Sequence, residues 1–165
     1  DVVEEILCAF DPKHADEYRD WSQSYKKELE TLHQKEVVDY INDHLPDRDK
    51  RILVTAHDAF GYFGKKYKFT VKGIQGISTE SQASIHHVRE LVDYLVKNKV
   101  KAVFVETSVN ERSVTALIEG CKAQGHTVRI GGKLYSDAMG KVGTPGGTYA
   151  GMIRHNVQTI VEALK

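Results

Sequence analysis

The sequence predicts an α/β fold: a four-stranded, mostly parallel sheet flanked by helices and preceded by a long spine helix. Two patterns carry that expectation. From Lys50 onward, short apolar runs alternate with longer segments of helical period, which is the mark of βαβ units. Before that point, from Lys13 to Leu45, the chain contains neither Gly nor Pro. The 165 residues suffice for a domain with a real core.

The first element is a short helix, Val2 to Phe10, with apolar side chains at Val2, Val3, Ile6, Leu7 and Phe10. Asp11-Pro12 breaks it. Asp11 suits an N-cap, and Pro12 at the first helical position forfeits no needed hydrogen bond. Apolar residues then recur at Tyr18, Trp21, Tyr25, Leu29, Leu32, Val37, Tyr40 and Ile41, mostly in steps of three or four with one step of five. They predict one helix of about 34 residues, spanning roughly 50 Å at about 1.5 Å per residue. That length exceeds a small lobe, and without a strict heptad it reads as a spine across two lobes rather than a coiled coil. Pro46 and the charged run Asp47 to Lys50 end it.

Strands are predicted at Arg51–Ala56, Phe69–Ile74, Ala102–Val105 and Thr127–Ile130. Helices are predicted at Ala59–Tyr67, Ser84–Lys99, Asn110–Gln124 and Thr148–Lys165. Between Gly131 and Gly147 lies the long irregular stretch, with six glycines. A loop of that length in a compact domain usually carries function. The domain expectation is a short helix plus backbone helix over 1–46 and an α/β lobe over 47–165.

Composition narrows the function classes. Lys plus Arg equals Asp plus Glu at 23 each, so no basic excess points to nucleic acid. No apolar run reaches the ~20 residues that span a bilayer. The acidic start, Asp1 to Glu5, is not a signal peptide, and with no opening Met the chain reads as a processed or engineered fragment. Cys8 and Cys121 both sit in apolar helical patterns and read as buried free thiols. There is no P-loop, no GxGxxG after a strand, no GxSxG elbow and no Cys at a strand end, so the chain reads as something other than an enzyme.

In parallel sheets, ligands bind beyond the carboxyl ends of the strands. The first predicted strand delivers His57-Asp58, the third Glu106-Thr107-Ser108, and the fourth leads through Gly131-Gly132 to Asp137. One imidazole and two carboxylates on one sheet edge make a plausible divalent-metal site. Each also has a plainer role: Asp58 as N-cap of the following helix, His57 bonding backbone at a strand end, Glu106 pairing a surface Lys, Asp137 shaping a turn. His14, His33 and His44 read as solvated, His126 and His155 as structural. His86 and His87 are consecutive, so their side chains diverge by about 100° on a helix.

Three stretches carry a resemblance: Val54-Thr55-Ala56-His57-Asp58-Ala59-Phe60-Gly61-Tyr62-Phe63, Val103 to Val109 and Leu134 to Gly140, with Tyr149 to Asn156 agreeing as a closing helix. In order and spacing they resemble the cluster A-I metal-binding solute receptors of zinc and manganese ABC importers. The wording of Gly73 to Thr79 and of Gly143-Thr144 is closest to the Tro-type branch. The resemblance implies half of a two-lobed receptor joined by a rigid helix, here the carboxy-terminal lobe without its amino-terminal partner. It implies metal ligation by His57 and Asp137, with Glu106 as a supporting partner. The cargo would be zinc, manganese or iron, and the partner the membrane permease of an ABC importer. The location would be periplasmic or otherwise extracytoplasmic, with lipid anchoring possible in the full-length protein. The family's other two ligands are histidines of the amino-terminal lobe and its junction with the spine, so this chain holds half a coordination sphere and is expected to bind metal weakly or not at all. Apolar surface around His57, Phe60 and Asp137 would then favour self-association. A metal chelatase-like enzyme and an adhesin-type interaction module are the alternatives.

Overall fold

A computed structural model describes residues 1–76, 84–107 and 112–165. Outside them lie the end of the Gly73–Thr79 stretch, Ser108-Val109 of the second motif, and the first two residues of the helix expected from Asn110. The chain divides into two compact units, Asp1–Tyr40 and Ile41–Lys165.

In the first unit, α1 (Val2–Phe10) is followed by a 3-10 turn at Pro12–His14 and by α2 (Ala15–Thr31). Asp11 precedes the turn but caps no backbone N–H; its carboxylate instead accepts from His14 Nδ1 at 2.7 Å and from Tyr18 Oη at 3.2 Å. The spine differs from a single α-helix. After α2 the backbone takes π-helical form over Leu32–Asp39 before α3 (Tyr40–His44). The cause is visible in the sequence: the one apolar step of five runs from Leu32 to Val37, both buried. A wider turn brings those two side chains onto one face, where the α-helical period would separate them. Cys8 is half-buried rather than buried.

The second unit is the α/β lobe. Its strands are β1 (Ile52–His57), β2 (Thr70–Gln75), β3 (Ala102–Glu106) and β4 (Arg129–Leu134), paired in parallel in the order β2-β1-β3-β4. The helices are α4 (Gly61–Tyr67), α5 (Ile85–Lys97), α6 (Arg112–Ala123) and α7 (Tyr149–Leu164). Every residue of the central strands β1 and β3 is buried, as a parallel sheet covered on both faces requires. Ile52, Val54, Ala56, Val103 and Val105 pack with Leu91, Leu95, Val114, Leu117 and Cys121 of α5 and α6. Strand alternation turns Leu53, Thr55 and His57, and Ala102, Phe104 and Glu106, to the other face. Burial pushes the Cys121 thiol up, away from the reactive thiolate.

β4 runs later than expected, and the irregular stretch begins only at Tyr135. Gly131-Gly132 reads as a loop signal in sequence, yet it lies inside the strand. Val103 pairs with Ile130 and Phe104 with Gly132, so Gly131 is the extra residue of a bulge. A Cβ on Gly131 would stand 2.7 Å from the Phe104 ring and 2.8 Å from Ala163 Cβ. The two glycines let sheet, α7 and a buried ring approach closely.

α4 starts at Gly61 with Phe60 in the cap position and no side-chain cap, so Asp58 is not its N-cap. Phe60 is buried, its ring edge-on to Phe63, so it adds little apolar surface to the rim. Ser84 and Thr148 cap α5 and α7 through side-chain oxygens.

Candidate metal centre

The strand order reverses between β1 and β3, the position where open α/β sheets form a ligand crevice. Thr55 pairs with Phe104 across these strands. Two residues further on, the same register and the same face bring His57 and Glu106 together.

Glu106 is fully buried and devoted to His57. Its Oε1 accepts the His57 backbone N–H at 2.9 Å, and its Oε2 lies 2.6 Å from Nδ1 of the ring. That second contact is short but off-axis, and neither atom has another hydrogen-bond partner. A carboxylate this deep is tolerated only when paired. Thr55 Oγ1 and the Ala59 N–H both donate to the His57 carbonyl, at 2.8 and 3.0 Å, and hold the end of β1.

With Nδ1 turned to Glu106, Nε2 faces outward. Asp137 Oδ1 stands 3.3 Å from it, on a side chain that is 53% exposed. The pair opens into a hollow of ≈ 540 Å³ lined by His57, Asp58, Ala59, Gly61, Tyr62, Lys65, Ser136 and Asp137. A second hollow of ≈ 340 Å³, lined by Asp47, Lys50, Lys99 and Lys101 among others, precedes the strands at the opposite end of the sheet and holds none of these donors.

All three sequence-derived site residues therefore meet: His57 between a buried carboxylate and a solvent-facing one. Asp58 lines the hollow as well, a position hidden by its reading as a cap. Four other histidines of this lobe serve elsewhere. His126 Nε2 donates to the Val100 carbonyl at 2.7 Å and His155 Nε2 to the Lys133 carbonyl at 2.9 Å. His87 Nε2 bonds the Gly73 carbonyl at 3.1 Å, while His86 pairs loosely with Glu90 at 3.4 Å. Among the described residues, no group of three or more His, Cys, Asp or Glu is placed to hold a metal ion.

Sequence reasoning missed the support of the Asp137 loop. Asn156, buried in α7, accepts the Tyr135 N–H at 3.0 Å and donates to the Tyr135 carbonyl at 2.7 Å. A signal was present: Asn156 occupies an apolar position in the helical pattern of Ile153, Val157 and Ile160.

Fold and rim together define the class: a parallel α/β lobe with an imidazole nitrogen and a carboxylate oxygen side by side at its topological switch. Comparison with known proteins gives the family. Residues 1–163 match the family described as zinc-uptake complex component A, periplasmic (ZnuA), and the chain belongs to it. Over 170 aligned residues, 99% of the chain, it is 52% identical to the manganese-binding lipoprotein MntA of Bacillus subtilis (strain 168). It is 46% identical to the zinc-binding protein TroA of Treponema pallidum (strain Nichols), again over 99% of the chain. The solved structure of the periplasmic zinc-binding protein TroA from Treponema pallidum superposes with a TM-score of 0.89 at 44% identity, covering 99% of this chain and 58% of that one. The chain spans about half the length of these curated relatives, 54% and 52% respectively.

Proposed function

We propose that this chain is the carboxy-terminal lobe of an extracytoplasmic receptor that captures a divalent transition metal and delivers it to an ABC permease. His57 Nε2 and Asp137 supply two of the ligands, and Glu106 orients the imidazole. The observation that carries the reading is the 3.3 Å separation of Nε2 and Oδ1. It is long for a hydrogen bond. Two donors each about 2.05 Å from a tetrahedral ion stand about 3.4 Å apart, so the gap suits a shared cation. A buried carboxylate on the far ring nitrogen is the usual backing of a metal-bound histidine.

Nitrogen and carboxylate together suit zinc, manganese and iron alike. Relatives named for zinc and for manganese support both. Two ligands leave a sphere open, so the remaining donors come from water or from protein outside the described residues, as an amino-terminal lobe would supply. Lipid anchoring of the whole receptor has support in relatives named as lipoproteins. Binding without catalysis is supported by family membership. The exposed Tyr62 beside the donors, and Met139 and Val142 in the Asp137 loop, support self-association where no second lobe covers them.

Isothermal titration with zinc and with manganese tests the reading. Binding weaker than micromolar is expected, abolished by His57→Ala and by Asp137→Ala. Affinity untouched by either substitution removes the site, and sub-micromolar affinity from a monomer removes the half-sphere. Light scattering showing a clean monomer at high concentration removes the self-association.

A further inference from the structure

We infer that Asn156 is a positioning residue for the metal site: its side chain stands in for a neighbouring strand at the end of β4 and thereby sets where Asp137 lies relative to His57. This rests on the reading of His57 and Asp137 as ligands.

β4 is an edge strand. The Thr107 N–H donates to the Leu134 carbonyl, so Leu134 turns its polar groups toward β3. Backbone groups alternate along a strand, so Lys133 and Tyr135 turn theirs outward, where no strand among the described residues pairs them. α7 fills that place. His155 takes the Lys133 carbonyl, and Asn156 takes both the N–H and the C=O of Tyr135. A primary amide offers a donor and an acceptor side by side, as a peptide group does.

Placement argues for more than edge repair. Tyr135 lies at the last point before the chain leaves the sheet for the Asp137 loop, two residues from the carboxylate. Water could satisfy its outward groups there. Instead a helix interior carries an Asn that is 5% exposed, a costly choice for a position flanked by Val157 and Ile160. The same tyrosine is gripped from its ring side: a Cβ on Gly146 would lie 2.8 Å from the ring, and one on Gly140 3.0 Å from the hydroxyl. The Gly140 N–H donates to the Gly146 carbonyl at 2.8 Å, closing the loop beyond Asp137. Asp137 itself is half exposed in irregular backbone, so its location relative to His57 is inherited from Tyr135, and Asn156 ties Tyr135 to the core.

The test uses Asn156→Asp and Asn156→Ala in this chain, with Gln124→Ala as a remote control. Asn156→Asp in its ionised form keeps the acceptor for the Tyr135 N–H and sets a second oxygen against the Tyr135 carbonyl, whereas Asn156→Ala removes donor and acceptor together. Zinc affinity by titration is expected to fall about tenfold in both variants, as when a supporting partner of a ligand is lost. Thermal unfolding of Asn156→Asp should stay cooperative. A second readout needs no metal: the nitrogen chemical shift of His57 Nε2 should move in the Asn156 variants toward its value in Asp137→Asn. Wild-type affinity together with an unmoved Nε2 shift overturns the inference. If His57→Ala leaves zinc binding unchanged, the ligand reading fails instead, and the Nε2 shift alone decides whether Asn156 sets the position of Asp137.

Discussion

Replacing Glu106 by Gln should invert the proton on His57. In the wild type the buried carboxylate accepts the His57 N–H at 2.9 Å through one oxygen and sets the other 2.6 Å from Nδ1. A proton on Nδ1 leaves the Nε2 lone pair free toward Asp137 and the hollow. Glutamine has the same shape but only one acceptor. If its oxygen keeps the backbone N–H, its NH₂ faces Nδ1, which must then accept, and the proton moves to Nε2. The flipped amide is worse, because it sets a donor against the buried His57 N–H. Truncation to Ala would be a poor probe, since it strands two buried groups at about 1–3 kcal/mol each. Gln keeps the volume and removes a buried charge, so little loss of folding stability is expected. Zinc affinity should fall about 10- to 100-fold, or about 1.4–2.8 kcal/mol. Competition titration measures the affinity, and nitrogen NMR of the ring assigns the protonated atom. Wild-type affinity, or an Nε2 that stays unprotonated in E106Q, would refute the tautomer argument.

Three further outcomes follow from other parts of the fold. The Arg51 guanidinium donates to the Leu45 carbonyl at 2.9 Å, the Tyr67 carbonyl at 3.2 Å and Asn42 Oδ1 at 2.9 Å. Lysine cannot span all three, so Arg51→Lys should cost about 1.5–3 kcal/mol in urea unfolding; an unchanged midpoint would show that these bonds are dispensable. A Cβ at Gly64 would stand 2.4 Å from Val71 Cγ2 and 2.9 Å from the Phe69 carbonyl. Gly64→Ala should therefore destabilise by about 1–3 kcal/mol through overpacking, seen as a lower melting temperature. In the first unit, the hydrogen bond to Asp11 and then its charge raise the His14 pKa, while the bond to His14 lowers that of Asp11. The histidine contribution is fully present below its unfolded value of about 6.5 and fades as pH rises through the raised folded value. The aspartate contribution is present above about 3.9 and fades as pH falls through the lowered one. Asp11→Asn should bring the His14 NMR titration midpoint down, and an unmoved midpoint would contradict the pairing.

Much of the fold was legible because its signals are local. Buried runs such as Ile52 to Ala56 and Ala102 to Val105 mark central strands of a parallel sheet. The failures share a cause. Gly131-Gly132 signals a loop only while the Phe104 ring and Ala163 that demand it are out of sight. The step of five from Leu32 to Val37 looks like noise until the backbone widens to a π-turn there. Asp58 looks like a cap because a cap is the commonest use of Asp before a helix, and the helix starts two residues later than expected, at Gly61.

By itself the sequence determined the α/β class, and it pointed to the strands' carboxyl edge, with one imidazole and two carboxylates, as the candidate site. Hydrophobic period and residue identity are properties of neighbours along the chain, and they suffice for that much. Tertiary structure alone decided that Glu106 grips the inner nitrogen of His57, that Asp137 stands 3.3 Å from the outer one, and that Asn156 ties down the strand leading to it. Those facts depend on register between strands and on a helix returning from the end of the chain, so they exist only once distant segments have packed.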